Sequence, residues 1–155
     1  MGQAMLSESD RRILREIQKD GRITNQELAS RCGLSASACL DRLRRLREQG
    51  YITGFMALLD PAKLDRSLMM FIEVLLDRTT RETIKQFAAA IVTLPEVLEC
   101  HMVAGGFDYL IKVRVRDMAA YRNFLAETLV QMPGVRETRT YPVLEEVKND
   151  IALPI

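Results

Sequence analysis

Residues 24–50, TNQELASRCGLSASACLDRLRRLREQG, hold two amphipathic helical patterns separated only by Gly33, Leu34 and Ser35. Two short helices joined by a glycine-containing turn of that length make a helix-turn-helix. Thr24 and Glu27 have capping-box spacing, the hydroxyl accepting from the Glu27 N–H and the carboxylate returning to the cap. Leu28, Ala29 and Cys32 follow as the apolar side. Gly33 permits a left-handed stop, and Ser35 caps the next helix. Upstream, Ile13, Leu14 and Ile17 recur at helical spacing, so a further helix is predicted from Ser9 to Asp20, ended by Asp20-Gly21.

On a helical wheel, Ala36, Cys39, Leu40, Leu43 and Leu46 cluster on one side of the last of these helices. Ala38, Asp41, Arg45 and Glu48 lie opposite, Ser37, Arg42 and Arg44 flank them, and Arg47 leans toward the apolar side. A face that starts with small residues and continues into arginines suits entry into the major groove of DNA. Ser35, Ser37, Ala38, Arg42 and Arg45 are therefore the candidate readers, with Arg22 and Arg44 on phosphates. Asp41 opposes phosphate contact and is expected to orient Arg42 or Arg45 instead. The competing reading is an ordinary solvated face. Charge distribution favours DNA, because residues 1–59 carry 10 Lys and Arg against 7 Asp and Glu, whereas residues 60–155 carry 12 against 14.

Beyond Gly50, YITGFMALL reads as a short strand, either a wing or a way out of the DNA-binding module. DPAKLDRS then punctuates the chain and divides it into domains 1–60 and 61–155. SLMMFIEVLL is a strand apolar on both faces. Thr79 and Glu82 offer a second capping box before Ile84, Phe87, Ala88 and Ile91. EVLECHMVA and DYLIKVRV are strands either side of Gly105-Gly106, and Asp117 caps a helix ending near Pro133-Gly134. VRETRTY and VLEEV are the last strands. The predicted fold is α+β: a winged helix-turn-helix followed by a ferredoxin-like βαββαβ domain with one added strand. A first strand apolar on both sides needs a cover for its second face, and pairing of two copies supplies one. A symmetric homodimer would read two half-sites of a near-palindrome about 34 Å apart.

No apolar run approaches the roughly 20 residues of a membrane span, and the start MGQAMLSESDRR has no basic region followed by an apolar run, so a cytoplasmic, untargeted protein is expected. Cys32, Cys39 and Cys100 lack C-x-x-C spacing, and one histidine completes no usual metal set. No metal, cofactor or catalytic residue is predicted. The enzymatic alternative rests on His101 and Glu99 at spacing two, with Arg114 and Arg116 on a nearby strand.

LREIQKDGRITNQELASRCGLS, CLDRLRRLREQGYITGFMALLDP, VAGGFDYLIKVRV and PGVRETRTY, in that order, resemble the leucine-responsive regulatory protein and AsnC family of transcription regulators over nearly the whole chain. The resemblance implies DNA binding by the first domain, and dimerisation through the second with assembly to tetramers or octamers. It also implies an amino-acid effector, leucine or methionine, where dimers meet. The effector positions so implied are Gly105, Gly106, Phe107, Asp108 and Tyr109, with the Thr138 to Leu144 segment nearby. Met102, Phe107 and Val143 are candidate apolar walls, and Tyr141 and Leu144 complete the set. The family's G-D-F-D-Y loop reads Gly105, Gly106, Phe107, Asp108, Tyr109 here, replacing an aspartate by glycine. Its S-P-T-P-C turn reads Ser35, Ala36, Ser37, Ala38, Cys39.

Overall fold

The computed structural model describes residues 6–155, which form two compact units. In the first, α1 spans Glu8–Lys19, α2 spans Asn25–Cys32 and α3 spans Ala36–Glu48. A full capping box starts α1, but it is made by Ser7 and Asp10, two residues ahead of the predicted start at Ser9. An aspartate in place of the usual Glu or Gln hid it. The Thr24 box is only half formed. Its hydroxyl accepts from the Glu27 N–H at 3.2 Å, while the Glu27 carboxylate goes instead to Arg31 at 2.5 Å. Gly33 has φ 67°, the left-handed stop that the turn demands, and Ser35 caps α3.

Ile13, Leu14, Leu28, Ala29, Cys32, Cys39 and Leu46 make the core of this unit. Leu40, assigned to the apolar side, is 45% exposed. One residue past Cys39 is about 100° further round the helix, which takes Leu40 beyond the contact with α1 and α2. Residues 52–60 carry no regular structure, so the strand expected there is not formed within the chain.

The last eight residues, Lys148–Ile155, belong to the first unit rather than to the second. The Leu153 N–H donates to Gln18 Oε1 at 2.6 Å, Gln18 Nε2 donates to the Leu153 carbonyl at 3.1 Å, and Arg15 Nε donates to the Ile155 carbonyl at 2.5 Å. Ile155 packs on the core beside them. A division of the chain at one point, 60/61, has no way to express this return.

The second unit holds β1 (Leu68–Leu76), α4 (Arg81–Ile91), β2 (Val97–Met102), β3 (Tyr109–Val115), α5 (Met118–Asn123) and β4 (Val135–Pro142). After Asn123 the helical path widens into a π turn over Phe124–Thr128 and tightens again over Leu129–Gln131. The sheet order is β2-β3-β1-β4 with every neighbouring pair antiparallel, the ferredoxin-like arrangement expected. Thr80, not Thr79, caps α4. VLEEV forms no strand: Val143 still donates its N–H to the Met69 carbonyl at 3.0 Å, but pairing stops there.

Met70, Ile72, Val74 and Leu76 of β1 are buried with Phe87, Ile91, Tyr121, Phe124 and Leu129 from the helical side. Phe71, Glu73 and Leu75 alternate with them on the opposite face and remain partly exposed in the single chain.

Candidate DNA-binding and ligand-binding sites

Asp10 organises the DNA-binding unit. It sits at helical spacing with Ile13, Leu14 and Ile17, so it points inward with them, and it is 3% exposed. Its carboxylate accepts from Arg42 Nη1 at 3.0 Å and from Arg45 Nη2 at 3.0 and 3.1 Å. The Ser7 N–H and hydroxyl donate to the same group at 3.1 and 2.5 Å. Burial alone would push this carboxyl up, but the bonds from Ser7 and Arg42 and the charge of Arg45 outweigh burial and hold it below its ordinary value. Thus Asp10, rather than Asp41, orients both arginines. An acid in register with the apolar stripe, one turn ahead of Ile13 and Leu14, is the signal in the sequence.

The other candidate contacts divide by exposure. Ser37 and Arg44 are exposed on α3, Arg45 keeps 50% of its side chain in solvent, and Arg42 keeps 33%. Ala38 is half-buried. Ser35 is committed to its cap, accepting from the Ala38 N–H at 3.3 Å, with Ser37 Oγ also 3.3 Å away. Arg22 is exposed, and its N–H donates to Asp20 at 2.8 Å. Arg47 lies over the Phe55 ring, 5.2 Å from its centroid, consistent with its lean off the exposed face.

In the second unit, Met102, Tyr109, Val74 and Thr138 are successive partners across the sheet. At about 4.8 Å per strand they mark one row about 14 Å long. Gly105, Gly106 and Phe107 lie in the β2–β3 loop at that end of the sheet, the glycines exposed and Phe107 half-buried. Asp108 is tied down: its carboxylate accepts from the Leu76 N–H at 2.8 Å and its own N–H donates to the Val74 carbonyl at 3.0 Å. It caps the end of β1. Tyr109 is 4% exposed with its ring 4.5 Å from that of Phe87, so it belongs to the core.

Tyr141 is opposite Phe71, three residues or about 10 Å along β1 from the Val74 row, and on the face away from the helices. Thr138 is on the helical face. Tyr141 faces Glu73, whose hydrogen bond and charge raise its phenol pKa. Val143 is half-buried and Leu144 is 99% exposed. One copy of the chain therefore does not gather the candidate effector residues into one pocket.

His101 Nε2 is 3.2 Å from Glu99 Oε2, and Lys112 Nζ is 3.0 Å from the other oxygen. Lys112, then His101, hold the Glu99 carboxyl below its ordinary value. Arg114 is bonded to Glu146 and to the Arg66 carbonyl, and Arg116 to Asp117, so neither joins His101 in a catalytic group.

A helix-turn-helix that offers an arginine-bearing helix, attached in sequence to a ferredoxin-like sheet with one open face, defines a ligand-responsive transcriptional regulator. The chain belongs to the Lrp/AsnC family. Residues 69–153 match the Lrp/AsnC ligand binding domain, and residues 6–53 match a winged helix-turn-helix DNA-binding family. It is 55% identical to the leucine-responsive regulatory protein of Salmonella typhimurium over 97% of this chain and 92% of that protein. Its identity to the Escherichia coli K12 leucine-responsive regulatory protein is 54% with the same coverage. Among solved structures it is similar to a Neisseria meningitidis transcriptional regulator in complex with L-Met, with TM-score 0.93 and 37% identity over 97% of both chains. An AsnC family regulator from Agrobacterium tumefaciens has TM-score 0.91 and 32% identity over 96% of both chains.

Proposed function

We propose that this regulator binds a near-palindromic operator in double-stranded DNA as a cytoplasmic homodimer that assembles further to tetramers or octamers, and that leucine or methionine modulates the binding. The observation that carries the reading is α3 itself, which presents Ser37, Arg44 and Arg45 to solvent directly after the Gly33 turn. Ser35, Ala38 and Arg42 support this face, and Arg22 adds a phosphate contact. Exposed Phe55, Met56, Leu58 and Leu59, together with the half-exposed Phe71 and Leu75, supply apolar surface for self-association. The protein acts by binding and not by catalysis.

Replacing Arg44 by alanine should weaken DNA binding severalfold on any sequence and reduce the slope of log affinity against log salt by about 1. Fluorescence anisotropy at several salt concentrations measures both. An unchanged slope removes Arg44 from the interface.

The effector reading is supported by the relatives, one solved with L-Met and others named leucine-responsive. We place the site at a contact between copies, around Met102, Gly105, Gly106 and Phe107, with Thr138, Tyr141, Val143 and Leu144 contributed from more than one chain. Asp108 and Tyr109 shape the loop from beneath. Calorimetry of the oligomer against the twenty amino acids should give heat with leucine or methionine, reduced by Phe107→Ala. Asp108→Ala is a poor probe, since it also frees the Leu76 N–H. Silence from all twenty would rule out an amino-acid effector.

A further inference from the structure

A carboxylate sealed inside a small DNA-binding unit is strongly unfavourable unless paired. Asp10 answers that with two arginines from one turn of α3, Arg42 and Arg45, and with Ser7, whose hydroxyl also accepts from Arg42 Nη1 at 3.2 Å. Nη1 of Arg42 and Nη2 of Arg45 are spent on this contact, and each guanidinium has further N–H donors. Both side chains keep part of their surface in solvent, 33% and 50%. Two positive charges against one negative leave a net charge of +1 on the cluster.

We propose that Asp10 is a positioning residue for DNA recognition, fixing the guanidinium groups of Arg42 and Arg45 on the exposed side of α3 before DNA arrives. The proposal rests on the reading that α3 faces DNA. Long flexible side chains lose rotamer freedom when they bind, and two arginines held in advance lose less of it at the moment of contact. Directional bonds to bases benefit most, because they need a fixed fork, whereas a loose arginine still finds phosphates. Asp10 therefore acts on specificity. Removing its charge should leave non-specific attraction equal or stronger, since the cluster goes from +1 to +2.

The test uses the full chain and two DNA probes: a duplex enriched from a random pool by the wild-type protein, and sonicated bulk DNA. Anisotropy titrations are run well below the thermal midpoint of each variant. Asp10→Asn is expected to lower the ratio of specific to non-specific affinity on the order of tenfold, with bulk-DNA affinity held or raised. In a background of Arg42→Gln with Arg45→Gln, the same change should leave the ratio where it is. Ser7→Ala keeps the carboxylate and both arginines but deletes the hydroxyl that bonds both Asp10 and Arg42; it should lower the ratio severalfold, and it decides the matter if Asp10→Asn does not fold. A ratio unchanged in folded Asp10→Asn, or in Ser7→Ala when that variant is the one that folds, overturns the proposal. So does an equal fall in the glutamine background. Arg44→Ala separates the levels: if it weakens both probes while Asp10→Asn leaves the ratio alone, α3 reads DNA without help from Asp10, and if it changes neither probe, the reading of α3 fails as well.

Discussion

Arg42→Ala combined with Arg45→Ala should destabilise the first unit in addition to removing two of the side chains proposed to meet DNA. Both substitutions strip partners from a carboxylate that is 3% exposed. Breaking a buried pair on one side costs about 3–5 kcal/mol, and partial exposure of the arginines reduces this to about 2–3 kcal/mol. For a unit of this size that is a fall of roughly 10–20 °C in thermal midpoint. Circular-dichroism melting reads it directly. Adding Asp10→Asn to the double variant should recover much of the loss, because a neutral amide tolerates the site better than a lone carboxylate. A double variant that melts with the wild type would show that the arginines do not stabilise Asp10.

Acid gives a second readout of the same contacts. The folded Asp10 carboxyl lies below its ordinary value. A depressed folded pKa means stability that is present above the unfolded value, about 3.9, and is lost as pH falls through the folded one. The wild type should therefore lose this contribution below about pH 4, whereas the double variant, which keeps only the Ser7 bonds to the carboxylate, should lose less there.

Local chemistry made the helix-turn-helix legible in the sequence: Gly33 has a conformation few other residues take readily, and Thr24 and Ser35 cap helices through neighbours three residues away. The continuous apolar run of β1 and the helical spacing of Phe87 and Ile91 likewise made a strand and its covering helix legible. Long-range partnerships were not legible. Nothing in the R-x-R-R-x-R pattern of Arg42 to Arg47 says that its first and third arginines are shared with an acid on another helix. Asp108 accepts from the Leu76 N–H at 2.8 Å at the end of β1, a partner on another strand that no local pattern announces. Tyr109 falls both in the strand DYLIKVRV and in the implied effector loop, and strand alternation carries it under α4. VLEEV has the composition of a strand and no edge that continues to pair with it. The effector residues do not converge in one chain, and a site shared between copies, as proposed, would leave no local pattern in either.

Gly134→Ala should be the most damaging single-methyl change in the second unit. Gly134 has φ 76°, and a Cβ built there would lie 2.3 Å from Thr83 Cγ2 and 3.7 Å from Asp77 Oδ1. Left-handed backbone disfavours alanine by about 1–2 kcal/mol, and forcing a methyl into occupied space adds about 1–3 kcal/mol. Thr83 has little room to yield, because its hydroxyl is 2.8 Å from that of Thr80 and its N–H caps α4 on the same side chain. Gly134 itself cannot shift freely either: its carbonyl accepts from the Asp77 N–H at 2.8 Å, tying the start of β4 to the end of β1. The expected total is about 3 kcal/mol, read as a lower urea midpoint with an unchanged m-value. Thr83→Ala in the same chain should return the steric part and leave the backbone part. Gly33→Ala is the comparison, since φ is 67° there but nothing lies within 4 Å of the added carbon; it should cost only about 1–2 kcal/mol. If Gly134→Ala is no worse than Gly33→Ala, or Thr83→Ala relieves nothing, then contact with Thr83 is not what reserves this position for glycine.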